Sequence, residues 1–150
     1  MSRDDDAQVE LVARECLANK VRLLNRAVTA VYDEALRPFA LTIGQMSMLV
    51  TVAREERASP AGLGRLLHME KSTLSRNVDR MRVRGWLTVA PTDDGRTTEL
   101  RVTPSGRGLL RRVHPAWSKA QRRAAAMLGA HGVRGIIRAV AMVAERRERA

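Results

Sequence analysis

The chain has little of what supports several large classes of protein. It holds one cysteine, Cys16, among 150 residues, which excludes an internal disulfide and a cysteine-based zinc site. Aromatic residues are 3 % of the chain, so a core must be assembled from Leu, Val, Ala and Met. No apolar run approaches the roughly 20 residues that cross a bilayer, and no membrane partner is expected. The opening MSRDDDAQ lacks the basic-then-apolar plan of a secretion signal. A reducing cytoplasm is the expected setting. His68, His114 and His131 are scattered, with no His-x-x-x-His or carboxylate-paired spacing, so no metal site is expected. No nucleophile elbow, phosphate loop or paired-carboxylate motif marks an enzyme, and no cofactor is implied.

What the chain does have is positive charge and helix-forming residues. The formal net charge is +11. An excess of this size points to a polyanionic partner, nucleic acid or an anionic surface; the alternative is an arginine-rich soluble protein. Hydrophobic residues make up 45 %, enough for a packed core, and the wealth of Ala, Leu and Arg favours helices.

From about Ala7 to Leu36 the pattern predicts one long helix. Leu17, Val21, Leu24, Val28, Val31 and Ala35 form a near-heptad apolar stripe, suited to a partner chain or to a long intramolecular contact. Pro38 breaks it. Thr42 with Gln45 fits a capping box and Leu41 with Met46 its hydrophobic staple, starting a helix to about Arg54. Ser59-Pro60 reads as the N-cap and first position of a short helix ending near Leu67. After the turn HME, the stretch KSTLSRNVDRMRVRGW places Leu74, Val78 and Met81 on one face, with Gly85 as the stop. The period then changes to two. Leu87 and Val89, a turn at DDG, then Thr98, Leu100 and Val102 predict a β-hairpin with a loop longer than two residues. Thr103-Pro104 caps a helix running toward Leu128, GAHG interrupts it, and a last helix runs from Val133 to about Arg149.

A short helix, a tight turn, a second helix and a hairpin make a winged helix-turn-helix. The fold class is mainly α with a small β-wing. Residues 1–41 supply an N-terminal helix of a dimerisation region, 42–103 the winged lobe and 104–150 C-terminal dimerisation helices. In helix-turn-helix docking the N-terminal end of the second helix enters the major groove. That end carries Lys71, Ser72, Thr73, Ser75 and Arg76. Hydroxyls there reach bases or phosphates, and Arg76 can donate two hydrogen bonds to a guanine edge. Arg80, Arg82 and Arg84 lie further along, toward backbone phosphates. Arg96 on the hairpin loop suits a narrow minor groove, with Asp94 placed to orient it. Singly these features have plain alternatives: hydroxyls satisfying free helix N–H groups, a solvated cationic face, an ordinary turn. Together, in this order, they point to double-stranded DNA.

These residues resemble the MarR family of bacterial transcriptional regulators over about residues 15 to 145. LTIGQMSMLVTV is similar to the family's Leu-Thr-x-x-Gln opening, and EKSTLSRNVDRMRVRGWL to its recognition helix. DDGRTTELRVTPSG is similar to its wing, with Asp94-Gly95-Arg96 matching an Asp-x-Arg motif. Glu70 departs from the family's usual N-cap. The resemblance implies a homodimer built by the first and last two helices, a palindromic operator with half-sites near 34 Å apart, and repression relieved by a small anionic or aromatic effector between the dimerisation region and the lobe. Trp117 and Met46 are candidates for that cleft, or for core.

Two alternatives remain: an architectural protein that coats DNA, and a redox regulator acting through Cys16. Some family members sense peroxide with a cysteine in this helix. Here the cysteine stands about two residues from that position, with Lys20 four residues on.

Overall fold

The computed structural model describes residues 3–55, 58–92 and 95–148. Helices dominate: α1 (Arg3–Glu15), α2 (Leu17–Leu36), a 3-10 turn (Arg37–Phe39), α3 (Ile43–Arg54), α4 (Pro60–Leu67) and α5 (Lys71–Val83) precede a two-stranded hairpin. Strands β1 (Leu87–Pro91) and β2 (Thr98–Val102) pair antiparallel, Leu87 opposite Val102 and Val89 opposite Leu100. Helix α6 (Pro104–Glu148) follows, kinked at Gly129, whose φ of 67° and ψ of 162° leave the helical region.

The expected single N-terminal helix is two. Cys16, at φ −62° and ψ 108°, interrupts it and leads into α2. Nothing in the structure explains the interruption. The helix starts follow their side-chain caps. The Gln45 N–H donates to the Thr42 hydroxyl at 3.2 Å while the Thr42 N–H donates to Gln45 Oε1 at 3.3 Å, the reciprocal capping box. Gly62 N–H donates to Ser59 Oγ, and Gly106 N–H to Thr103 Oγ1, each at 3.0 Å. At the end of α5, Gly85 takes φ 70°. Its N–H reaches the Arg82 carbonyl and the Trp86 N–H reaches that of Met81, both at 2.9 Å, a Schellman close.

One core gathers Leu36, Leu41, Met46, Met48, Leu49, Leu63, Leu74, Val78, Met81, Trp86, Leu87, Leu100, Leu109 and Val113. It joins the winged lobe to the start of α6. A second, small cluster of Val31, Ala120 and Ala124 fastens α2 to α6. Beside it the Tyr32 hydroxyl donates to Gln121, and Arg123 pairs with Glu34 at 2.6 Å.

The apolar stripe on α2 is graded. Val31 is buried, Leu24 and Val28 are half-buried, and Val21 and Leu17 are exposed. Val21, Leu24 and Val28 line a groove with Leu128, Val133, Ile136, Ile137 and Val140 of α6. By length and composition alone, Pro104–Arg146 is apolar enough to cross a membrane, which corrects the reading that no such stretch exists. The 18-residue window that passes holds at most two charges, so it must take in Gly129, Arg134 and Arg138. It is thus bent and doubly charged, and its apolar side chains at Ile136, Ile137 and Val140 face the groove against α2.

Candidate nucleic-acid interface

Helix α5 is pinned from one side. Leu74, Val78 and Met81 are 5 %, 8 % and 0 % exposed, which leaves the opposite face outward. Lys71, Ser72, Ser75, Arg76 and Arg80 are exposed and Thr73 is half-buried. The spacing of four and three turns the apolar triplet inward and fixes which residues remain available. Arg76 folds back along the helix, donating through Nη2 to Thr73 Oγ1 at 3.4 Å. Glu70 occupies the N-cap position with no side-chain cap hydrogen bond. The first N–H groups of α5 therefore have no side-chain acceptor from their own N-cap residue, the arrangement that favours an approaching phosphate.

The wing projects beside this helix. Val89 of β1 and Lys71, Ser75, Asp79 and Arg82 of α5 line a shared groove. Across the hairpin loop the Thr92 N–H donates to the Thr97 carbonyl at 2.9 Å, and Gly95, at φ 66°, donates to the Thr92 carbonyl at 2.7 Å. Arg96 is exposed just after it. Asp94, expected to orient Arg96, lies outside the described residues.

Arg84, expected with Arg80 and Arg82 toward backbone phosphates, is exposed; its Nη1 donates to the Ala40 carbonyl and its guanidinium lies 4.9 Å from the centre of the Trp86 ring, contacts that tie it to the fold. The Lys20 ammonium donates to the Ala13 carbonyl at 3.4 Å. Cys16 itself is half-buried between α1 and α2. Arg82 sits 3.9 Å from Asp79, both largely exposed, a weak pair.

Other side chains of the lobe emerge only in three dimensions. Gln45 is 5 % exposed. Its Nε2 donates to Asn77 Oδ1 at 3.4 Å, and Asn77 Nδ2 donates to the Thr73 carbonyl at 3.0 Å. On the wing, Arg101 pairs with Glu99 at 2.8 Å. Glu99 is 7 % exposed, and its Oε1 has no hydrogen-bond partner among the described residues. The sequence signal for the first set was a polar residue, Asn77, bordering the apolar triplet. For Glu99 it was an acid inside a strand next to a core leucine. Away from the DNA face, a cleft between α3 and α6 is lined by Ile43, Met46, Ser47, Val50, His114 and Trp117. Met46 and Trp117, expected in a cleft or in the core, belong to both: Met46 is buried in the core, Trp117 packs against it, and both line this cleft with His114, whose ring is 5.7 Å from that of Trp117.

A pinned helix with an outward polar tip, beside a hairpin with a cation at its loop, defines a winged helix-turn-helix DNA-binding protein. The comparisons agree. A model of the MarR family matches residues 41–97. The transcriptional regulator MosR of Mycobacterium tuberculosis, solved in complex with DNA, is 31 % identical with a TM-score of 0.74; the match covers 88 % of this chain and 98 % of that one. A cysteine-to-serine mutant of Escherichia coli MarR with operator DNA is 19 % identical with a TM-score of 0.78, covering 89 % and 96 %. Among curated proteins, the multiple antibiotic resistance protein MarR of Salmonella typhimurium is 23 % identical over 99 residues, 65 % of this chain and 69 % of its own. The chain belongs to the MarR family of DNA-binding transcriptional regulators.

Proposed function

We propose that the protein acts as a homodimer on a palindromic operator, represses transcription in the cytoplasm, and lets go when a small aromatic or anionic effector binds. The observation that carries this is the two-sidedness of α5. Leu74, Val78 and Met81 are buried while Lys71, Ser72, Ser75 and Arg76 are outward. In the reading put forward here, Ser72, Thr73, Ser75 and Arg76 meet base edges, Lys71 and Arg80 meet phosphates, and Arg96, with Asp94, enters the minor groove.

The dimer is supported by the groove between α2 and the end of α6 and by the exposure of Val21, Ile137, Val140 and Val143. A second copy offers matching apolar surface for a face of this kind. Residues 1–41 and 104–150 are accordingly assigned to dimerisation and 42–103 to DNA binding.

The effector is supported by the α3–α6 cleft. At about 430 Å³ it has the size of a small-molecule site. It is mainly apolar, with His114 beside Trp117 to meet an aromatic acid. BpsR of Bordetella bronchiseptica, whose DNA binding is regulated by 6-hydroxynicotinic acid, shares the fold at a TM-score of 0.76 and 17 % identity. An effector acts only by its differential affinity for the two conformers, and DNA must weaken it by the same factor.

Footprinting over the intergenic region beside the protein's own gene tests the function. A single protected palindrome of about 20 base pairs, lost on adding an aromatic acid, is expected. Uniform coating would instead identify an architectural protein. That outcome has its own motive in the exposed Arg107, Arg111, Arg112, Lys119 and Arg122 along α6. If peroxide releases DNA from wild type but not from Cys16→Ser, the switch is the thiol and not the cleft.

A further inference from the structure

Helix α5 is held by more than its apolar underside. Three consecutive residues of α2 form a junction. Tyr32 and Glu34 bind Gln121 and Arg123 of α6. Between them Asp33 Oδ1 accepts the Ile43 N–H at 2.7 Å, at the first turn of α3. From that turn Gln45 reaches Asn77, and Asn77 reaches the Thr73 carbonyl. Three residues before Ile43, the Ala40 carbonyl accepts from Arg84. The short stretch Ala40 to Gln45 therefore grips the recognition helix twice, in its middle and at its end, while α2 grips that stretch.

We propose that Asn77 and Arg84 are positioning residues: through them the segment after α2 sets the placement of the recognition helix against the dimerisation framework, and so the distance between the two reading heads. The inference rests on the dimer-and-operator reading above. The physical warrant is the directionality of the bonds. The apolar contacts of Leu74, Val78 and Met81 hold the helix onto the lobe, and directional hydrogen bonds add a constraint that burial alone does not specify. The Gln45–Asn77 bond and the bond from Arg84 to the Ala40 carbonyl fix a position along the axis. Asn77 is half-buried and Arg84 is exposed, but each is engaged with the protein's own backbone or side chains. Side chains that never meet a base then set which operator spacing is accepted.

The test begins with a palindrome selected by wild type from a random-sequence pool. Affinity is measured for that duplex and for the same duplex with one base pair inserted at its dyad, across a salt series. Asn77→Ala and Arg84→Lys are expected to lose about ten-fold of the wild-type preference for the native spacing. The slope of log affinity against log salt should stay at the wild-type value, because no phosphate contact is removed. Arg84→Lys is the discriminating variant. It keeps the charge, so a phosphate contact would survive it, but it loses the planar stack and the fork. A spacing preference within two-fold of wild type in both variants would overturn the proposal, as would wild-type behaviour of Arg84→Lys alongside a slope reduced by about one in Arg84→Ala. Thermal unfolding of each variant reports folding. Should Asn77→Ala fail to fold, Gln45→Met removes the donor to Asn77 while leaving the Thr42 hydroxyl cap, and the same loss is expected. Failure of wild type to select any palindrome would sink the operator reading and this inference with it. A selected palindrome with unchanged spacing preference would sink the inference alone.

Discussion

Gly106 has no room for a methyl group. A Cβ there would lie 2.3 Å from the Trp86 carbonyl oxygen and 2.8 Å from a Val102 methyl. Backbone has to move to admit it, so Gly106→Ala is expected to cost about 1–3 kcal/mol, read by denaturant unfolding. Leu74→Ala empties a buried site under the recognition helix, and about 2–5 kcal/mol of stability should go with it. The exposed residues obey different rules. Arg96→Ala should leave the unfolding midpoint unchanged and weaken operator binding by about 1–3 kcal/mol. Arg76→Ala should instead broaden base preference at one position of each half-site, measured by competition among single-base operator variants. An unaltered profile would mean that Arg76 reads no base.

At the scale of the element, the helix starts were the most legible part of the sequence, because a cap is a local rule. Thr42 with Gln45, Ser59-Pro60 and Thr103-Pro104 each begin a helix where their side chains predict. The same locality explains the errors. The break at Cys16 falls just ahead of the apolar stripe that begins at Leu17, and no proline or glycine nearby announces it. The roles of Arg84 and Asn77 depend on Ala40 and Gln45, which are 44 and 32 residues away in the chain, and no periodicity carries that information. Pro115 sits inside α6 and the helix runs on through it, against the usual expectation for an interior proline. The candidate site was legible because its residues share one helix and one loop; the cleft was half legible because His114 and Trp117 sit a helical turn apart, facing α3 from another element. Between α2 and α6, burial raises the Tyr32 phenol above its ordinary value of 10.0. The folded state then holds the proton that the unfolded chain would release, so this contribution is intact below pH 10 and lost as pH climbs through the raised value. Tyr32→Phe should flatten that alkaline loss of stability in a pH series of thermal unfolding.

The whole molecule is a cation with an uncovered apolar flank. With a net charge of +11, its affinity for any duplex should fall steeply with salt, while the ratio of specific to random binding falls much less. On the flank, Ile137 is 63 % exposed. If two copies pair through this flank, as proposed, Ile137→Glu would bury a carboxylate between them. Sedimentation should show that variant dissociating at concentrations where wild type stays paired, with the lobe still folded by circular dichroism. A variant that assembles as wild type does would move the interface elsewhere. The wing adds a consequence of its own. At its base the Thr103 hydroxyl donates to the Gly85 carbonyl at 2.6 Å and the Thr103 N–H to the Trp86 carbonyl at 3.0 Å. Those two bonds draw the hairpin shut like a purse string, so that what happens at its tip stays there. A few residues spliced in after Thr92 would alter the tip and leave the rest of the lobe undisturbed. The finger is a part that can be exchanged without rebuilding the hand that carries it.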